Sequence, residues 1–304
     1  MTIGNMRDDE GADEMQILPE KIATLRRNIF ADAHAAIGDW HTFPWHRDMR
    51  GHVQADKPHS SQALAIDVFG AIGASNGKDA ILDILAIEVG LPPGGPWNIE
   101  LEWTDSQRLL CEPRPTQVDA LAVGANAIMV IECKFTEPGG SCSQTRRIQT
   151  GLGAGQPQCT GRYELQVNPR SNVQAHCALS GKEIRYWDVI PAIFDLDPAT
   201  TYAPCPFKGE AFQWMRNLAL AHELGRNQGK PAACVVAYAS GGNFPTEAKV
   251  GNLTWLPPLA DGAHGPVMVP YQRIAELAAE VDDDPCWGRL AEWIERKVEL
   301  ACRR

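Results

Sequence analysis

A chain of 304 residues with 44% hydrophobic and 22% charged residues is long enough for one large domain or two small ones, and can bury a full core. No apolar run is long enough to span a bilayer: residues 80–91 come nearest and are interrupted by Asp83 and Glu88. The net charge of −10 argues against a uniformly basic nucleic-acid-coating protein.

The first eighteen residues read as a disordered acidic tail. Asp8, Asp9, Glu10, Asp13, Glu14 and Glu20 near the N-terminus face only Arg7, so about half of the excess charge sits there. No basic region precedes an apolar stretch, and the nine cysteines are odd in number and scattered. Both features predict a cytoplasmic protein with reduced thiols.

Residues 19–304 read as a single domain. Helical periodicity runs over 19–38, with Ile22, Leu25, Ile29 and Phe30 on one face. Ser60 or Ser61 can cap a helix reaching to about Gly73, and a second helix fits 77–90 before Leu91-Pro92-Pro93 ends it. Residues 97–104 alternate, placing Trp97, Ile99, Leu101 and Trp103 on one side of a strand. Two apolar strands, 117–123 and 127–135, then flank Gly124-Ala125-Asn126. Residues 136–206 form a loop-rich insertion without a clear period. A helix over 208–224 stops at Gly225, a strand covers 232–239, and C-terminal helices follow at about 269–280 and 285–301. The fold class is mixed α/β: a central sheet containing an antiparallel hairpin, flanked by helices.

The hairpin carries the chemistry. If Ala125 and Asn126 form the turn, Asp119 lies across from Glu132 on one face, with Lys134 one step further along it. That face continues through Leu121, Val123, Ile128 and Val130; Val118, Ala120, Ala122, Met129 and Ile131 make the other. Two opposed carboxylates repel and are costly to desolvate. A divalent cation such as Mg²⁺ or Mn²⁺ relieves both penalties. The spacing alone leaves a second reading open, in which Lys134 merely neutralises Glu132.

Asp119 followed by Glu132-Cys133-Lys134 across a tight turn resembles the core motif of the PD-(D/E)XK nucleases, although Val118 stands where the naming proline would be. A wider resemblance to bacterial restriction endonucleases rests on His59-Ser60-Ser61-Gln62, on residues 132–137, on Arg185-Tyr186-Trp187, and on Cys205-Pro206-Phe207 followed by Gln213-Trp214-Met215-Arg216-Asn217. These blocks span about residues 40–240. The resemblance implies a restriction-endonuclease-like core and metal-dependent hydrolysis of nucleic acid, DNA in particular, in defence or repair. Asp119, Glu132 and the Cys133 carbonyl would hold Mg²⁺ or Mn²⁺, and Lys134 would position the attacking water. Glu102 on the neighbouring strand is the candidate for an additional acid, and Gln213, with Arg216 and Asn217 on its helix face, would bind a phosphate or support Lys134. Cleavage of symmetric sites would suit a homodimer.

Nucleic-acid contacts are expected from residues 140–187, where Arg146, Arg147, Arg162, Arg170, Lys182 and Arg185 oppose only Glu164 and Glu183. Arg216 and Asn217 join them, sharing a helix face with Gln213 by i, i+3 and i+4 spacing. His41 and Trp45-His46 lack ligand spacing and read as packing or surface. Cys142, Cys159, Cys177 and Cys205 could bind structural Zn²⁺, but without a Cys-x-x-Cys pair isolated thiols are favoured. The readings left standing against catalysis are a nuclease-fold binding module without activity and a protein–protein adaptor.

Overall fold

The computed structural model describes residues 17–144, 147, 149, 154–155, 177–195, 207, 211–250 and 259–303. Helix α1 (Pro19–Asn28) carries Pro at its first turn and buries Leu25. The period expected to continue to residue 38 is broken at Ile29, whose extended backbone leads into a 3₁₀ turn over Ala31–Ile37. Ser60 caps the next helical segment, its Oγ accepting the Ala63 amide at 3.2 Å. That segment comprises α2 (Ser61–Ala65), a π-helical stretch (Ile66–Gly70) and α3 (Ala71–Ala74). Helix α4 (Lys78–Glu88) completes the N-terminal group.

Five strands form one sheet in sequential order: β1 (Asn98–Thr104), β2 (Gln117–Val123), β3 (Ile128–Lys134), β4 (Ala232–Tyr238) and β5 (Pro266–Pro270). The first three are antiparallel neighbours, while β4 and β5 add in parallel. The hairpin register is the expected one: Val123 faces Ile128, Leu121 faces Val130 and Ala120 faces Ile131. Strand β5 was not legible in the sequence, being five residues long with Pro at both ends, a composition confined to sheet edges. Helices α5 (Tyr186–Ile193), α6 (Phe212–Gln228), α7 (Pro245–Val250), α8 (Tyr271–Val281) and α9 (Cys286–Cys302) complete the described elements.

Helix α6 runs past Gly225, which is buried rather than terminal. A Cβ there would meet the Lys230 carbonyl at 2.7 Å, so glycine serves close packing against the chain leading into β4. The helix stops instead at Gly229, whose φ of 64° suits a left-handed cap.

Two cores sandwich the sheet. One joins α1, α2–α4, α8 and α9 to Ala120, Ala122, Met129, Ile131 and Val235; the other joins α5 and α6 to Leu121, Ile128, Val130, Cys234 and Val236. All seven residues of β3 are buried, as expected for an interior strand covered on both faces. The alternation fails at one place. Leu101 and Ala120 pack into the first core, but Trp103 and Val118 pack into the second rather than continuing the faces expected for them. The change occurs across Glu102, whose φ of 53° rotates the strand.

A buried ion pair ties the N- and C-terminal helices together. Asp67, in the π-helical stretch, accepts the Phe30 amide at 2.7 Å, the Trp293 indole at 2.9 Å and the Lys297 ammonium at 2.6 Å. Burial pushes the Asp67 carboxyl up and the Lys297 ammonium down, the directions expected for charges taken out of water. Lys297→Met leaves Asp67 unpaired and should destabilise the fold by about 3–5 kcal/mol in denaturant titration. Pairing it with Asp67→Leu should recover much of that loss.

Candidate functional site

The end of the β2–β3 hairpin distal to its turn opens into a fork. The ladder pairs Ala120 with Ile131; beyond it the Asp119 side chain intervenes, its Oδ2 accepting the Cys133 amide at 2.7 Å. Asp119 is thereby anchored to β3 through one oxygen. On the other side of β2, the turned backbone at Glu102 brings that carboxylate inward, leaving it 5% exposed. A non-glycine residue in this conformation costs on the order of 1–3 kcal/mol, so the surroundings must hold it there.

Side chains from three segments do so. Gln62, at the start of α2 and 1% exposed, donates to Glu102 Oε1 at 2.8 Å. Gln117, at the start of β2, donates to Oε2 at 2.8 Å, and His46 Nε2 lies 3.1 Å from the same oxygen. Gln62 also accepts the His46 backbone amide at 2.8 Å, fixing the loop that carries the imidazole.

Glu132 and Lys134 project toward α6. Lys134 Nζ donates to Glu132 Oε1 at 2.6 Å, and the Asn217 amide donates to Oε2. Asn217 is fully buried, and its Oδ1 accepts from Arg216 Nε at 3.2 Å, so it is a buttress of Glu132 and not the nucleic-acid contact expected from its helix face. Arg216 reaches the Gln117 carbonyl at 3.4 Å, again close to the fork.

These carboxylates are unequal. Burial, reinforced by the fields of Glu132 and Glu102, pushes Asp119 well above the usual carboxylate range. Burial acts on Glu132 in the same sense, but the charges of Lys134 and Arg216 and the bonds from Lys134 and Asn217 outweigh it and hold Glu132 low. Lys134 loses by desolvation and gains more from Glu132, Asp119 and Glu137, so its ammonium is held above its ordinary value. Burial likewise disfavours charge on His46, yet the Glu102 bond and the fields of Glu102, Asp119 and Glu132 raise it to about 9.

Ligating atoms of His46, Glu102 and Asp119 all lie within 4.8 Å of one another, a combination compatible with a divalent cation. The electrostatics fit one: buried like charges lift the Asp119 carboxyl, and a cation would remove that penalty. Glu132 is outside this group, its oxygens being engaged by Lys134 and Asn217. Cys133 contributes its amide to Asp119 while its buried thiol faces the first core.

Gln213 is half-buried near Gly140, where its backbone amide bonds the Gly139 carbonyl at 2.9 Å. Arg147 is exposed and bonds the Gly155 carbonyl at 2.6 Å. Arg146, Arg162 and Arg170 lie outside the described residues, as do Cys159 and Cys205. Among the described residues, the candidate metal group contains no cysteine. Gln62 belongs to the His59–Gln62 block singled out in the sequence, whereas His46 and Gln117 entered the site without a signal: His46 is sixteen residues from Gln62 and 56 from Glu102, and only folding joins them.

Among the described residues no helix is long and apolar enough to cross a membrane. No curated protein and no solved structure matches the chain. A match does come from a protein family, over residues 10–246, an interval that contains β1 to β4, α6 and every side chain of the fork. On that match the chain belongs to the family described as Restriction Endonuclease associating with ARP.

Proposed function

We propose that this chain is a metal-dependent nuclease of the PD-(D/E)XK kind that hydrolyses phosphodiester bonds of nucleic acid, DNA in particular. One observation carries the reading: a buried Asp119 carboxylate beside a Glu132–Lys134 pair at the open end of a hairpin. Family membership supports a nuclease role for the same segment.

Asp119 and Glu102 are the carboxylates offered to Mg²⁺ or Mn²⁺; Glu132, whose oxygens accept from Lys134 and Asn217, and the Cys133 carbonyl would join them through their remaining lone pairs. When bound, the ion supplies Lewis-acid charge at the scissile phosphate and makes water a better nucleophile. Lys134, held protonated by its acidic neighbours, is suited to orient that water and to stabilise charge developing on phosphoryl oxygens; its raised pKa disfavours uptake of a further role as base. Asn217 keeps the Glu132 carboxylate in one orientation, and Gln62 and Gln117 do the same for Glu102. Arg216 places a guanidinium by β2, where it favours an approaching phosphate. The basic residues of the 136–206 insertion, Arg146, Arg147, Arg162 and Arg170, would supply phosphate contacts through the local positive charge of that segment of the sequence. A homodimer would present two such forks to opposite strands of a symmetric site.

Incubating supercoiled plasmid with purified protein and Mg²⁺ or Mn²⁺ tests the reading directly. Asp119→Ala, Glu132→Ala and Lys134→Ala should each reduce cleavage by about 100-fold or more while the protein remains folded by circular dichroism. Wild-type protein that binds nucleic acid without cutting it under any divalent ion would make the chain a binding module.

The Asp119 carboxyl also predicts a pH signature in metal-free protein. Its pKa is higher folded than unfolded, so the unfolded chain releases the proton first as pH rises. Stability associated with this group is therefore greatest below the unfolded value of about 3.9 and declines as pH rises toward the folded value. Asp119→Asn should remove that part of the decline, so its melting temperature at pH 7 without metal should equal or exceed that of wild type. Adding Mn²⁺ should stabilise wild type by about 2.7 kcal/mol at a hundredfold excess over Kd, and leave the variant nearly unchanged.

Binding by Asp119→Asn protein, measured across a salt series, checks these phosphate contacts of the insertion. Replacing Arg146 and Arg147 together with Ala should flatten the log–log salt slope by about 1 to 2 if both contact phosphates. An unchanged slope would assign these residues to contacts within the protein.

A further inference from the structure

The residue beside the Glu102 carboxylate on the open side of the fork is a histidine, His46. We propose that His46 is a nitrogen ligand of the cation site, and that it makes the site selective for Mn²⁺ over Mg²⁺. The inference rests on the metal-dependent reading and adds to it a ligand and a preference.

Three observations lead to it. First, a ring nitrogen of His46 and oxygens of Glu102 and Asp119 converge within 4.8 Å. Neighbouring ligands around an octahedral ion with bonds near 2.1 Å are separated by about 3 Å, and opposite ones by about 4 Å. The 3.1 Å from Nε2 to Glu102 Oε2 therefore already matches one edge of a coordination shell. Second, one buried side chain ties both groups in place. Gln62 accepts the His46 amide through Oε1 and donates to Glu102 and to the Pro44 carbonyl through Nε2. A surface ion pair needs no such alignment of both backbone and carboxylate; a ligand pair does. Third, Asp119 spends Oδ2 on the Cys133 amide, and among the described residues no hydrogen bond reaches its Oδ1. The half-exposed His46 ring leaves the group open toward solvent, from which an ion would enter.

The preference follows from ligand chemistry. Mg²⁺ favours oxygen donors and gives up its water reluctantly, whereas Mn²⁺ tolerates imidazole and a less regular shell. An imidazole in place of one oxygen thus weakens the site for Mg²⁺ more than for Mn²⁺. The competing account is that His46 remains a charged partner of Glu102 and never touches an ion.

Electron spin echo spectroscopy on the full chain loaded with one equivalent of Mn²⁺ distinguishes these, because a directly bound nitrogen modulates the echo. Wild type should show ¹⁴N modulation that changes to the ¹⁵N pattern when only histidine is isotopically labelled. His46→Gln should abolish the modulation. Calorimetry should show that this variant binds Mn²⁺ about tenfold or more weakly, with a smaller loss for Mg²⁺. The labelled wild-type measurement needs no variant and so does not depend on how well His46→Gln folds. Mn²⁺ bound in an Asp119-dependent manner without nitrogen modulation, or with modulation that survives His46→Gln, would overturn the ligand assignment while leaving the nuclease reading intact. Mn²⁺ binding that is absent, or indifferent to Asp119→Ala, would overturn both.

Discussion

Three carboxylates, Glu102, Asp119 and Glu132, are buried together where a sheet opens, and ionised groups removed from water cost several kcal/mol each unless partnered. Much of the surrounding structure answers that constraint. Glu132 is neutralised by Lys134 and oriented by Asn217; Glu102 is held by two glutamines and a histidine. Among the described residues Asp119 receives only a backbone amide, and burial with its acidic neighbours raises its carboxyl. A site built only for stability would have closed this gap with a further donor or an apolar residue. Carboxylates whose surroundings push their protonation apart in this way cluster at functional sites.

Both layers of helices reach this one point. Gln62 comes from α2 on one side of the sheet, Asn217 and Arg216 from α6 on the other, and the completely buried β3 runs between them. Interior packing at near-crystalline density leaves these anchors little freedom, which keeps the carboxylates in a narrow range of positions. The Asp67–Lys297 pair contributes from a distance. Asp67 lies five residues beyond Gln62 on the same helical segment, and its bonds to Phe30, Trp293 and Lys297 anchor that segment. The C-terminal helix α9, beyond the family-matched interval, thereby packs onto the helical segment that carries Gln62.

Local chemistry decided what could be read along the chain. The hairpin register followed from a two-residue turn and strict period-two patterning, and the Ser60 cap from a serine ahead of an apolar run. Asp119, Glu132 and Lys134 were identifiable because they lie within sixteen residues on paired strands, where spacing translates directly into proximity. Short or locally distorted elements were not. β5 is too brief and proline-bounded to show a period, and Gly225 carries the composition of a helix stop while serving as a packing notch.

The sequence by itself determined the mixed α/β class, the antiparallel hairpin and the acidic–basic triplet at its end, because each depends on contacts between near neighbours. Only the tertiary structure decided which side chains complete the site. The left-handed backbone at Glu102 turned that residue inward, against its position on a polar strand face. The fold brought His46 and Gln62 to it from loops and helices with no periodic relation to β1. It also converted Asn217 from an expected surface contact into a buried partner of Glu132. Such placements come from packing between distant segments, and residue spacing carries no record of a distance that only folding closes.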